Sequence, residues 1–148
     1  MIRPARAHDE QDIRDCARRA YARYVPLMGR KPAPMTADFA ARIAAGHVYV
    51  AADGRDVFQG FVVFYQEGDH ILLENVAVLP DVAGRGIGKA LIGFCEDAAG
   101  RCGFRAVHLY TNEKMADNLA IYPRLGYVEV GRRTENGFNR IYFQKTLD

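Results

Sequence analysis

Serine is absent from this chain, which excludes catalysis by a serine nucleophile. Cysteine is scarce: Cys16, Cys95 and Cys102 are odd in number and lack the clustered Cys/His spacing of a zinc site. Each falls in a helical pattern, so they are expected to be small buried hydrophobes of a reducing compartment, and no metal is expected. His8, His47, His70 and His108 are scattered at element ends, and no pair has ligand or triad spacing. The net charge is only +2, too weak a field to favour nucleic acid or an anionic membrane as partner. No apolar run approaches the ~20 residues of a membrane helix. The first residues, Met1-Ile-Arg-Pro-Ala-Arg-Ala-His8, hold no apolar signal region. A cytoplasmic protein is expected.

What is present suits one globular domain spanning residues 1–148, with 49% apolar and 26% charged residues. Residues 2–6 read as a strand. Asp9 opens a helix in which Ile13, Cys16, Ala17, Ala20, Tyr21 and Tyr24 recur at helical spacing. Residues 25–35 hold three prolines and a glycine and read as an extended, apolar loop. That loop either walls a pocket or packs over the first helix. Thr36 can cap a second helix ending at Gly46, with Phe39, Ile43 and Ala44 buried. Strands over 47–52, 57–66 and 70–79, separated by turn signals at Asp53-Gly54 and Glu67-Gly68-Asp69, make an antiparallel meander. The third is apolar almost throughout and should be covered on both faces. A helix from residue 87, a strand over 106–111, a helix over 115–125 containing Pro123, and a hairpin of 127–132 with 140–146 complete the chain.

The stretch Val76-Ala-Val-Leu-Pro-Asp-Val-Ala-Gly-Arg-Gly-Ile-Gly-Lys-Ala-Leu91 joins a buried strand to a helix through glycines 84, 86 and 88. Glycine lets backbone approach a bulky anion, and the N–H groups of a helix start favour negative charge. Arg85 and Lys89 add cations. The segment reads as a phosphate cradle. A P-loop is a weak match, because Ala83 and Ala90 stand where its first glycine and its hydroxyl belong. A dinucleotide fold fits poorly: the glycine spacing is wrong and the loop lies past mid-chain.

Ala83-Gly-Arg-Gly86-Ile-Gly88 resembles the Gln/Arg-x-x-Gly-x-Gly/Ala motif of the GNAT superfamily of acetyl-CoA-dependent N-acetyltransferases, with Ala83 departing at the first position. Asn118-Leu-Ala-Ile-Tyr122-Pro-Arg-Leu-Gly-Tyr127 is similar to a second signature of that family, and the element order agrees over nearly the whole chain. The resemblance implies an α/β (α+β) fold: a mixed, mostly antiparallel sheet of about seven strands, splayed between strands 4 and 5, flanked by about four helices. It implies acetyl-CoA as cofactor and an amine acceptor as partner. The function implied is acetyl transfer to a primary amine of a small molecule or amino acid, by direct attack in a ternary complex. A non-catalytic acyl-CoA-binding module, or a protein or peptide N-acetyltransferase, stands as the alternative. A homodimer through the C-terminal strands is also compatible with the family.

By the same resemblance, Gly84, Arg85, Gly86, Ile87, Gly88 and Lys89 would hold the nucleotide end of CoA. Val76 and Val78 would bond its pantetheine arm, and an N–H near Val76 or Ala77 would face the thioester oxygen, a type of contact worth ~10²–10³ in rate. Tyr122 would protonate the leaving thiolate; otherwise it is a core aromatic. Asn118, one helical turn earlier, would contact CoA or else cap or face solvent. Asn112 would contact ligand or cap the next helix. Glu74 stands out as a carboxylate inside an apolar strand. Apolar surroundings make a carboxylate a better proton acceptor, so it is the candidate base; the competing reading pairs it with an arginine at the splayed end. Alternation puts Glu74, Val76 and Val78 on one face unless a bulge intervenes. For the acceptor, Tyr21, Tyr24, Arg30 and Met35 are the candidate contacts, with the 133–139 hairpin opposite.

Overall fold

The three strands marked by turn signals do form a meander, and they become three of the seven strands of one sheet. A computed structural model describes residues 1–148. In chain order the elements are β1 (Ile2–Pro4), α1 (Glu10–Tyr21), α2 (Val25–Met28), α3 (Phe39–Ala44), β2 (Val48–Ala52), β3 (Phe58–Glu67), β4 (His70–Val78), α4 (Ile87–Arg101), β5 (Ala106–Asn112), α5 (Ala116–Arg124), β6 (Val128–Glu135) and β7 (Phe138–Thr146). The sheet has seven strands in the order β1-β2-β3-β4-β5-β7-β6. Every neighbouring pair is antiparallel except β4 with β5, the pair that the α4 crossover joins. The expected fold class is therefore the observed one.

Two apolar layers sandwich the sheet. On one face Leu91, Ile92, Cys95 and Ala99 of α4 pack on Val62, Phe64, Leu73 and Leu109. On the other, Ile13, Cys16 and Ala17 of α1 and Phe39 of α3 pack on Val50, Phe61, Val63 and Ala77. β4 thus lies between two cores, as its near-continuous apolar run requires.

Local chemistry moved several boundaries. The chain after α1 does not become an extended loop: a 3-10 turn (Ala22–Tyr24) leads into the single-turn α2. Pro26 is tolerated because it lies in the first turn of α2, where its missing N–H has no helical acceptor to lose. Gly29 then ends α2 in the left-handed region at φ 74°. Asp38, not Thr36, caps α3, its carboxylate accepting from Ala41 N–H at 3.1 Å. Of the expected α3 stripe only Phe39 is buried; Ile43 is half-buried and Ala44 exposed. Cys102 is exposed rather than buried. The last hairpin turns tightly at Asn136-Gly137, both at positive φ, so β6 and β7 extend into what reads as a six-residue loop.

Candidate active site

The site begins as a failure of strand pairing. β4 and β5 pair only at Ile71–Val107 and Leu72–His108, and beyond that they diverge. A cavity of about 250 Å³ fills the gap. Its walls come from Leu73–Val76 of β4, Leu109–Asn112 of β5, Met115, Asn118 and Tyr122 beside or on α5, and Phe138 and Arg140 of β7. The 25–35 segment closes one side through Met28, Pro32, Ala33 and Pro34. It is therefore a pocket wall.

A β-bulge sets the chemistry of the β4 wall. Val63 pairs with Asn75 but Phe64 pairs with Leu73, so Glu74 is the extra residue. Bulges bend the strand and break its side-chain parity. Glu74 and Asn75 consequently both reach the α1/α3 side, the first to Arg42 and the second to Tyr21 and Pro34. Val76 and Val78 pack on the α4 side instead. Simple alternation, which groups Glu74 with Val76 and Val78, is corrected by this bulge.

Glu74 lines the cavity with its side chain 14% exposed. Arg42 forks onto it, Nε to Oε1 at 3.0 Å and Nη2 to Oε2 at 2.9 Å, and the Tyr65 hydroxyl donates to Oε2. The carboxylate is thus both paired with an arginine and turned to the cavity. The bond to Glu74 raises the Arg42 pKa, and burial followed by that carboxylate raises the Tyr65 phenol. Buried Asn75 donates to Pro34 O at 3.1 Å and accepts from the Tyr21 hydroxyl at 2.9 Å. Val76 O lies at the same distance from that hydroxyl.

Tyr122 packs edge-on against Tyr127 and tilted against Phe143, with ring centroids 5.8 and 5.9 Å away. Its hydroxyl makes no hydrogen bond within the protein, and the residue lines the cavity. Burial pushes the phenol up to about 12, with Tyr24 adding to the shift. Asn118, one turn earlier on α5, lines the same cavity and donates to Thr111 Oγ1 at 3.3 Å. Asn112 also lines it while its Oδ1 accepts from Lys114 N–H at 2.9 Å.

The glycine loop lies outside the cavity wall. Gly84 and Gly86 take φ of 81° and 83°, and Gly86 caps α4. A Cβ on either would meet nothing within 4 Å, so these glycines serve backbone shape and not packing. The first helical bond is Ala90 N–H to Gly86 O, and no backbone N–H from Gly84 through Lys89 has an acceptor in the protein. Arg85 and Lys89 are exposed and form no ion pair. Ile87 is half-buried against the α4 core. This is a cradle of free backbone donors with two unpaired cations beside it, an arrangement that favours an anion.

The β4 backbone continues that donor surface. Leu79 N–H bonds Gln59 O at 2.9 Å, and Phe61 pairs with Ala77 two residues further along. Antiparallel alternation then commits the Ala77 backbone groups to β3 and turns those of Val76 and Val78 away from it. Val76, not Ala77, carries the free N–H beside the cavity.

Of the expected acceptor contacts only Tyr21 lines the cavity. Tyr24 is buried beside it, centroids 6.5 Å apart, and Met35 packs into the α1/α3 core. Arg30 stacks 3.6 Å over the Phe138 ring and donates to Asn136 O. It ties the 25–35 segment to the hairpin tip without lining the pocket. Arg42, Tyr65, Tyr110 and Arg140 line it without any signal in the sequence.

A family model described as an acetyltransferase (GNAT) domain matches residues 44–129, more than half of the chain, and the chain belongs to that family. The family uses acetyl-CoA. No curated protein sequence matches the chain. Solved structures share the fold at low identity. The PaiA N-acetyltransferase of Thermoplasma acidophilum, solved with coenzyme A, is 15% identical with a TM-score of 0.80, over 99% of this chain and 98% of that one. A GCN5-related N-acetyltransferase from Rhodopseudomonas palustris is 23% identical with a TM-score of 0.80, over 99% and 95%. Nourseothricin acetyltransferase is 24% identical with a TM-score of 0.63, over 68% of this chain; this chain spans 65% of that protein's length. No helix is long and apolar enough to cross a membrane.

Proposed function

We propose that this protein transfers an acetyl group from acetyl-CoA to a primary amine of a small molecule or amino acid. The observation that carries the reading is the cavity in the β4–β5 gap, where Glu74, Tyr122 and the free edge of Val76 meet. Bound acetyl-CoA supplies an activated acetyl thioester. The N–H groups of residues 84–89 hold its phosphates, and Arg85 and Lys89 add charge. Val76 and Val78 bond the pantetheine arm along the β4 edge, with Val76 N–H positioned for the thioester oxygen. Asn112 and Asn118 complete the cofactor wall. Glu74 takes the proton that the amine loses as its nitrogen bonds the acetyl carbon. Tyr122 gives its proton to the sulfur as the carbon–sulfur bond breaks, and solvent restores it. The products are an N-acetyl amine and CoA thiol.

The direct test is free-thiol release from acetyl-CoA with a panel of amines, amino acids and peptides, beside a thermal shift with acetyl-CoA alone. Upshift with amine-dependent release supports acetyl transfer. Upshift without release from any amine favours a non-catalytic CoA-binding module. No upshift removes the cofactor reading. We also propose that two copies pair through β6, a sheet edge with Val128 and Val130 exposed; a monomeric mass by light scattering rejects this.

A further inference from the structure

The cavity contains two guanidinium groups in opposite states. Arg42 is committed, its fork closed on both oxygens of Glu74. Arg140 is not. It lies opposite Asn112 in the β5–β7 register, lines the cavity, and is only 13% exposed. Aromatic faces hold it: its Cζ is 4.6 Å from the Tyr110 ring centre and 5.6 Å from that of Phe138. The carboxylate beside it is Glu135, with Nη1 to Oε1 at 3.6 Å, too long for a hydrogen bond. That same Oε1 already accepts from the Tyr142 hydroxyl. No guanidinium N–H of Arg140 donates to any acceptor in the protein. A guanidinium has five donors in a planar fork suited to carboxylates. Its nitrogens are not closed off from solvent, so the fork stands open to an acceptor that enters the cavity.

Glu74 lies across the same cavity, and Tyr110 registers both groups. Burial raises the Tyr110 phenol, Arg140 opposes the rise, and Glu74 adds to it. Arg140, Glu74 and Tyr110 all line the one cavity, with the Arg140 guanidinium over the Tyr110 ring. A simple alkylamine would leave the Arg140 fork unmet. A lysine side chain or a peptide N-terminus brings no carboxylate next to its amine. The volume of about 250 Å³ suits a molecule of amino-acid size.

On the acetyl-transfer reading above, we propose that the acceptor is an amino acid or related amino-carboxylate, with Arg140 binding its carboxylate and setting specificity. The test compares the common amino acids with their methyl esters, carboxamides and decarboxylated amines, in wild type and in Arg140→Gln and Arg140→Lys. Thiol release from acetyl-CoA is the readout. For the preferred acceptor, the acid exceeds its ester by roughly 10–100-fold in kcat/KM, mostly through KM, as expected for a charged hydrogen-bonded pair. The ratio falls towards one in Arg140→Gln and is partly kept in Arg140→Lys. Esters matching acids in wild type overturn the proposal, whether or not the variants fold; so does an unchanged ratio in Arg140→Gln. Release confined to amines lacking a carboxylate overturns it while leaving acetyl transfer standing. Absence of both thermal upshift and release removes acetyl transfer itself, and this assignment with it.

Discussion

Replacing Tyr122 with Phe deletes one oxygen and leaves the ring in place. The ring contacts with Tyr127 and Phe143 survive, and the lost hydroxyl has no partner in the protein. The stability change should therefore stay within about 0.5 kcal/mol. Catalysis is another matter. A thiol in water has a pKa near ~8.5, and a phenol held near 12 looks poorly matched to it, by roughly 5 kcal/mol. Burial of the sulfur narrows the mismatch. Burial pushes Cys16 and Cys95, the two buried thiols of this protein, up to about 12 as well. A leaving sulfur buried beside Tyr122 is shifted in the same direction, while Arg42 and Arg140 in the cavity wall act against that shift. Loss of such a donor costs ~10²–10⁴ in kcat, with little change in KM for acetyl-CoA. Thiol release at saturating acetyl-CoA measures it, beside a melt to verify the fold. The pH profile gives a second readout. Wild type should show no alkaline loss from this group up to about pH 10, since the phenol titrates higher. A Tyr122→Phe variant with kcat within threefold of wild type across that range would refute the assignment and return Tyr122 to the core.

Gly86→Ala forces a side chain into φ 83°; the fold should lose ~1–2 kcal/mol, and the acetyl-CoA Kd measured by titration should rise with distortion of the N–H cradle. Gly60→Ala would put a Cβ 2.7 Å from Ala77 O and 3.2 Å from Val78 Cα. It should cost ~1–3 kcal/mol by overpacking and weaken acetyl-CoA binding by shifting the β4 edge; an unchanged melt and Kd would contradict the close packing. Asp9, with its side chain 4% exposed, accepts from both Nη1 and Nη2 of Arg3 at 2.8 and 3.0 Å. Chiefly that bond, with help from Arg6 N–H, holds the Asp9 carboxyl below its ordinary value against burial. Its contribution to stability is present above the ordinary aspartate pKa of ~3.9 and is lost as pH falls through the lower folded value. Asp9→Asn should therefore cost ~3–5 kcal/mol at pH 7 and less at pH 3, by chemical denaturation; equal losses at both would contradict the pairing.

Much of the fold is written in local patterns. Alternation marks the meander, and glycine spacing marks the start of α4. The free donors of the glycine loop are equally legible, because they need only glycines and a helix start, which leave a signature in adjacent residues. The cavity wall is not. Pro26 reads as a helix breaker until its place in the first turn of α2 is known. Arg140 reads as one more charged residue on a strand. Its significance comes from Tyr110, Phe138 and Glu135, brought together by the β5–β7 register and the hairpin turn.

The least legible feature lies between the two ends. Periodicity carries a fixed parity along a strand, and the extra residue at Glu74 breaks it. Ile71 and Leu73 face α4, so alternation from them turns Glu74 to the α1/α3 side; the extra residue puts Asn75 on that same side and returns Val76 and Val78 to α4. Glu74 thus reaches Arg42 and the cavity, while Val76 N–H stays free beside the gap and Val76 O lies 2.9 Å from the Tyr21 hydroxyl. One bulge therefore brings Glu74 and Asn75 to the same side of β4 and leaves the free Val76 N–H beside them at the gap. The failure of the alternation rule at Glu74 is itself informative: a strand gives up regular pairing at the point where the proposed chemistry needs a side chain re-aimed.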